Sequence, residues 1–121
     1  MTESSNPRPF DLQDRTLDFA KQVRAFVKAL PRTLANTEDA RQLVRASGSV
    51  GANYIEANDA LGKKDFLMRI KISRKEAKEC RYWLNLIDVH GAEDLERHQG
   101  SLIQEATELT SIFSAIVRKS E

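Results

Sequence analysis

Residues Ser47 to Ala57 read SGSVGANYIEA, and whether this stretch is loop or helix decides the fold. One reading is a glycine-rich loop that grips a phosphate. The other is a helix carrying unusually small side chains. Leu43, Ser47, Val50, Tyr54, Ala57 and Leu61 advance in steps of 4, 3, 4, 3 and 4, which is helical period. That register passes through Gly48 and Gly51 without a slip, and a loop has no reason to preserve it. GSVGAN also lacks the G-K-[ST] ending of a Walker loop. The stretch is therefore predicted to be helical. Each glycine weakens a helix by ~1 kcal/mol relative to alanine, so a compensating contact is expected. Ala46, Ser47, Gly48, Ser49, Gly51 and Ala52 present almost no bulk, and a neighbouring helix can approach closely there.

Working outward, Asn36 or Thr37 is the expected cap of this second helix, with Glu38 and Asp39 in its first turn beside the positive dipole end. Upstream, Asp11 or Asp14 caps a first helix whose apolar positions are Leu17, Ala20, Val23, Val27 and Leu30, and Pro31 ends it. Downstream, Gly62-Lys63 is a break and a third helix starts near Lys64 or Asp65. Its seam of Phe66, Ile70, Ser73, Ala77, Cys80, Leu84 and Ile87 alternates steps of 4 and 3, with Gly91 as the expected C′ residue. A fourth helix runs from about Ala92 to Lys119. Leu95, Leu102, Ala106, Leu109, Phe113, Ile116 and Val117 line one side, and Gly100 marks a point where it can bend or break. Four amphipathic helices with short links predict an all-α, antiparallel up-down four-helix bundle over residues 11–121, preceded by a flexible N-terminal tail, residues 1–10.

The totals agree. The chain has 121 residues, enough for one core without a metal or disulfide. A single cysteine, Cys80, excludes an internal disulfide and suits a reducing, cytoplasmic setting. No apolar run approaches the ~20 residues of a membrane span, and MTESSNPRPF has no apolar stretch of the kind that secretory leaders use. The net charge of +1 gives no overall bias towards polyanions, but the distribution is uneven. Lys63 to Arg81 holds eight Lys or Arg against three acids, whereas Gly91 to Thr110 holds five acids against one arginine.

The third helix has more than one working face. Lys64, Lys71, Arg74, Lys75, Lys78 and Arg81 fall on one flank, spread over about 120° at 100° per residue, with Tyr82 at its edge. They suit either a solvated face or a phosphate-binding stripe for RNA or DNA. On the other flank, Met68, Ile72, Trp83 and Leu86 are too apolar for a solvated surface and suggest a contact with another copy or a protein partner. In the second helix Arg45, Ser49, Asn53 and Glu56 share one side, and with Glu76 they form an expected polar network that fixes register. Paired carboxylates Glu56 and Glu76 are the catalytic alternative. Helical di-metal sites use E-x-x-H, but Ile87 and Leu95 stand three residues before His90 and His98, so no metal and no cofactor is expected. Cys80 lies on the core seam, and Ser47 and Ser49 have no identifiable base partner. An enzyme is not expected.

RASGSVGANYIEA (Arg45 to Ala57), Asp65-Phe66 and KISRKEAKECRYWL (Lys71 to Leu84) together resemble the bacterial four-helix bundle family, also called the 23S rRNA intervening-sequence protein family. The resemblance runs from about Leu17 to Val117, and Leu30-Pro31 falls at that family's first helix–turn junction. Arg45, Ser47, Ser49, Asn53, Glu56, Asp65, Phe66 and Glu76 match its signature positions. Ala57 stands where many members have glycine. The resemblance implies up-down bundles that assemble into homopentameric rings, some encoded within sequences interrupting 23S rRNA genes. It also implies likeness to the basic pentameric accessory protein of diversity-generating retroelements, and it supplies no catalytic residues. In a ring, the basic stripes of several subunits would combine against one polyanion. Two functions follow as expectations: a homo-oligomeric, nucleic-acid-associated accessory protein, or a protein-binding scaffold that touches no nucleic acid.

Overall fold

The structure, a computed structural model, describes residues 11–121; the expected N-terminal tail, residues 1–10, lies outside them. Four helices follow in order: α1 (Leu12–Lys28), α2 (Leu34–Asn58), α3 (Lys63–Leu86) and α4 (Glu93–Ser120). Each packs on the next and α4 closes more thinly on α1; across the diagonal, Tyr54 of α2 meets Phe113 of α4 with ring centres 6.1 Å apart. Contacts run in opposite directions along neighbours: Thr16 meets Gly51 while Arg24 meets Ser47, and Ser73 meets Val50 while Asn36 meets Asp88. The arrangement is an antiparallel, up-down four-helix bundle.

α2 is unbroken through Gly48 and Gly51. The close approach is sharpest at Gly51, where a Cβ would lie 2.8 Å from Thr16 Oγ1 and 3.2 Å from Thr16 Cβ. Thr16 is itself buried, and its hydroxyl donates to the Leu12 carbonyl at 2.7 Å. At Gly48 the neighbour is the flexible Arg24 guanidinium, 3.6 Å from where a Cβ would sit. The missing side chain of Gly51 is thus what lets α1 lie against α2.

The α1 core face differs from the expected one. Leu12, Thr16, Phe19, Val23 and Phe26 are buried, with Leu30 beyond the helix end, whereas Leu17 is 52% exposed. Two stripes of helical period overlap on this helix, sharing Val23 and Leu30. The stripe holding Phe19 and Phe26 faces inward because two aromatic rings bury more surface than Leu17 and Ala20. Phe26 also meets His98 of α4 edge-on at 5.5 Å.

Three helix ends also depart from expectation. Thr33, rather than Asn36 or Thr37, caps α2, accepting the Asn36 N–H at 3.1 Å. Glu38 and Asp39 therefore stand past the first turn. Asn36 is buried and used elsewhere: its amide nitrogen donates to the Pro31 and Asp88 carbonyls at 3.1 and 2.8 Å, and its oxygen accepts the Asp88 N–H at 3.0 Å. Leu61 is fully exposed because α2 stops at Asn58. α3 stops at Leu86, so Gly91 is not its C′ residue; Gly91, at φ +74°, turns the chain into α4 together with His90 at φ +54°. The α3 end is held by tertiary partners. Gln99 of α4 donates to the Leu84 and Ile87 carbonyls at 2.8 and 2.9 Å, while Asn36 takes both backbone groups of Asp88. α4 runs through Gly100 without a break.

Inside the bundle, Ile70, Ser73, Ala77, Cys80 and Leu84 of α3 are completely buried. The Ser73 hydroxyl donates across to the Val50 carbonyl at 2.9 Å, so the polar member of the seam joins α3 to α2. Phe113, Leu109 and Ala106 fill the α4 side. Arg15 ties α1 to α4, donating to Glu105 at 2.7 and 2.9 Å and to Glu108 at 2.8 Å. The bond to Glu105 is the main cause that holds the Arg15 pKa up, and bonds from Gln104 and then Arg15 hold Glu108 low.

Candidate nucleic-acid interface

α3 packs against α2 and α4 with its small and apolar residues, which leaves its charged positions, the buried Glu76 excepted, towards solvent. Lys71, Arg74, Lys75 and Lys78 line one shallow groove together with Glu79 and Tyr82, four cations against one carboxylate. Lys64 and Arg81 extend the stripe along the helix, about 26 Å end to end at 1.5 Å per residue. All six are exposed except Arg74, which is half-buried. Lys71 lies 3.7 Å from the Glu121 carboxylate. Lys75 stands between Glu76 and Glu79 at 4.0 and 3.9 Å, which offsets part of its charge. Lys64, Arg74, Lys78 and Arg81 have no carboxylate at ion-pair distance among the described residues. Exposed pairs of this kind contribute only ~0–1 kcal/mol, so the stripe is not held closed by its acids.

The apolar set lies closer to the stripe than a two-flank picture suggests. Met68 and Ile72 line a second groove with Lys64, Lys71 and Lys75. Positions 64, 68, 71 and 75 are i+4 and i+3 neighbours on one side of a helix, and long lysine stems can lie over the apolar surface between them. Met68 and Leu86 are each 48% exposed, while Ile72 and Trp83 are half-buried. Trp83 packs edge-on against Tyr82, with ring centres 5.1 Å apart.

The polar set is only partly joined. Asn53 donates to the Ser49 carbonyl and hydroxyl at 3.0 and 2.9 Å, and its own oxygen accepts from Arg69 at 3.1 Å. Arg69, not Arg45, therefore supplies the cation that links α2 to α3. Among the described residues Arg45 reaches only Gln42, at 3.4 Å, and Glu56 is exposed with no bond to the network. Glu76 is buried, and its Oε1 has no hydrogen-bond partner among the described residues. Glu56 and Glu76 thus sit in unlike surroundings, one in solvent and one in the protein. Burial, with the Glu76 and Glu79 carboxylates nearby, pushes the Cys80 thiol up to about 12, so it stays protonated and inert near neutrality. No group of three or more His, Cys, Asp or Glu among the described residues is placed to hold a metal, and no helix among them is long and apolar enough to cross a membrane.

Arg69, counted in the sequence only as charge, gains a place here that spacing did not give it, and Tyr82, expected at the edge of the basic flank, is 60% exposed and lines the cationic groove itself. Tyr82 follows Lys78 by four residues and Lys75 by seven, so the helical net does carry its signal.

Fold and surface define a class: a small up-down four-helix bundle with a cationic outer face on its third helix. The family described as 23S rRNA-intervening sequence protein matches residues 9–115, and the chain belongs to that family. The chain is also similar to a protein of unknown function from the S23 ribosomal protein family of Bacteroides thetaiotaomicron VPI-5482, known from its crystal structure. The two share 26% identity with a TM-score of 0.73, over 88% of this chain and 97% of that one. No curated protein matches the chain.

Proposed function

We propose that the protein is a non-enzymatic, homo-oligomeric bundle, assembled as a pentamer, that binds RNA or DNA through the α3 stripe as an accessory to another factor. One observation carries the reading: four cations converge on a single groove while Lys64, Arg74, Lys78 and Arg81 remain without carboxylate partners among the described residues. Membership of a family named for 23S rRNA intervening sequences supports RNA over DNA. The five-fold ring rests on the family resemblance, and the exposed Met68 and Leu86 are its candidate contacts between copies.

Phosphate binding by four side chains gives a log K versus log salt slope of about −3 on a single strand. Lys71→Glu, Arg74→Glu and Lys78→Glu combined should abolish oligonucleotide binding while leaving the helical content and the oligomer seen by light scattering intact. Binding that survives this triple change removes the stripe from the account. A second reading draws on the same exposed Met68 and Leu86: a scaffold for a protein partner. Its mark is a stable complex that resists nuclease and dissolves on Met68→Asp.

A further inference from the structure

We infer that the α3 groove is built for single-stranded nucleic acid, with Tyr82 as a stacking platform for one unpaired base; this rests on the proposed role of the stripe. Tyr82 is 60% exposed, yet it lines the same groove as Lys71, Arg74, Lys75 and Lys78. It lies ~6 Å along the axis from Lys78 and ~16 Å from Lys71 at the helical rise. Cations for the backbone and an aromatic face for a base thus occupy one continuous surface. Trp83 meets the Tyr82 ring edge-on at 5.1 Å, with their planes 75° apart. That contact restrains the Tyr82 ring, so little freedom remains to be lost when a base covers it.

A duplex offers the groove its phosphates but keeps its base faces covered by neighbouring pairs, so Tyr82 has nothing to stack on. A single strand offers both. Single-strand binding proteins combine these same two elements, a positive groove that tracks the backbone and aromatic rings on which bases stack. Every base has a π-face, so this arrangement selects strandedness rather than sequence, and it accepts ribose and deoxyribose alike.

The test measures anisotropy of labelled oligouridylate, oligothymidylate and the oligouridylate–oligoadenylate duplex with the full chain and with Tyr82→Ala and Tyr82→Phe. The exposed position makes both variants compatible with folding, which circular dichroism checks. Tyr82→Ala should weaken single-strand binding by about fivefold to a hundredfold and leave duplex binding nearly unchanged, while Tyr82→Phe retains both. Trp83 is the only tryptophan and lies against Tyr82, so its emission should change on adding either single strand to the wild type and not to Tyr82→Ala. If Tyr82→Ala leaves single-strand affinity intact, or lowers single-strand and duplex affinity equally, the stacking site is overturned while the stripe stands. If the wild type binds none of the three, the stripe falls and the stacking site with it.

Discussion

Replacing Gly51 by alanine separates two opposing effects inside one helix. Alanine favours a helix interior by ~1 kcal/mol over glycine. At Gly51, however, the new Cβ would lie 2.8 Å from Thr16 Oγ1 and 3.2 Å from Thr16 Cβ. Thr16 is buried and its hydroxyl is bound to the Leu12 carbonyl, so the obstacle is not the free end of a flexible chain. Overpacking of this kind destabilises by ~1–3 kcal/mol. The net effect of Gly51→Ala is a loss of ~0–2 kcal/mol. Gly100 is the control: it too lies inside a helix, but a Cβ there meets nothing within 4 Å. Gly100→Ala should gain ~1 kcal/mol, so the two variants should differ by about 1–3 kcal/mol, or roughly 4–12 °C in Tm for a chain of this size. Urea or thermal unfolding at one fixed protein concentration measures this, the fixed concentration removing any contribution from assembly. A double-mutant cycle adding Thr16→Ala should relieve part of the Gly51→Ala penalty, because the oxygen at 2.8 Å is then gone. If Gly51→Ala is as stable as Gly100→Ala, the α1–α2 approach is not limited at this glycine and the reasoning fails.

Phe26→Ala should lose ~3–5 kcal/mol, while Leu17→Ser, at a position 52% exposed, should change stability by less than ~0.5 kcal/mol; the reverse order in denaturation would restore Leu17 to the core. Asn36→Ala removes the side chain that binds Pro31 and both backbone groups of Asp88, so it should lose ~1–3 kcal/mol. Amide exchange should then speed up at Asp88, and unchanged protection there counts against the clamp. Cys80 should resist thiol reagents at pH 8 until the protein unfolds. Its folded pKa, about 12, lies above its ordinary value of 9.0. Its contribution to stability is therefore whole below pH 9 and lost progressively as pH rises towards 12. Fast stoichiometric labelling of the native protein would contradict that burial.

Much of the architecture was legible along the chain. The α3 seam from Ile70 to Leu84 is buried as its alternating spacing predicts, and α2 runs through its glycines. The candidate site was legible as charge: the convergence of Lys71, Arg74, Lys75 and Lys78 on one groove follows from helical spacing alone. Less legible were the partners of each polar group. Arg69 rather than Arg45 completes the Ser49–Asn53 pair because α3 brings it there. Glu76, expected in the polar network with Asn53 and Glu56, is instead buried with one carboxylate oxygen lacking a hydrogen-bond partner among the described residues.

By itself the sequence determined the number of helices, the inward seams of α2 and α3, and the segregation of positive charge onto α3, because helical period and charge order are local properties of a chain. Tertiary structure decided which of two overlapping stripes on α1 turns inward, a contest settled by the volume of Phe19 and Phe26 against their neighbours. It also decided where α2 begins and α3 ends. Asn36 caps nothing locally because Asp88, fifty-two residues away, offers it a donor and an acceptor together. A side chain with two geometries open to it adopts the one that satisfies more buried polar groups, and only the assembled bundle brings those groups within reach.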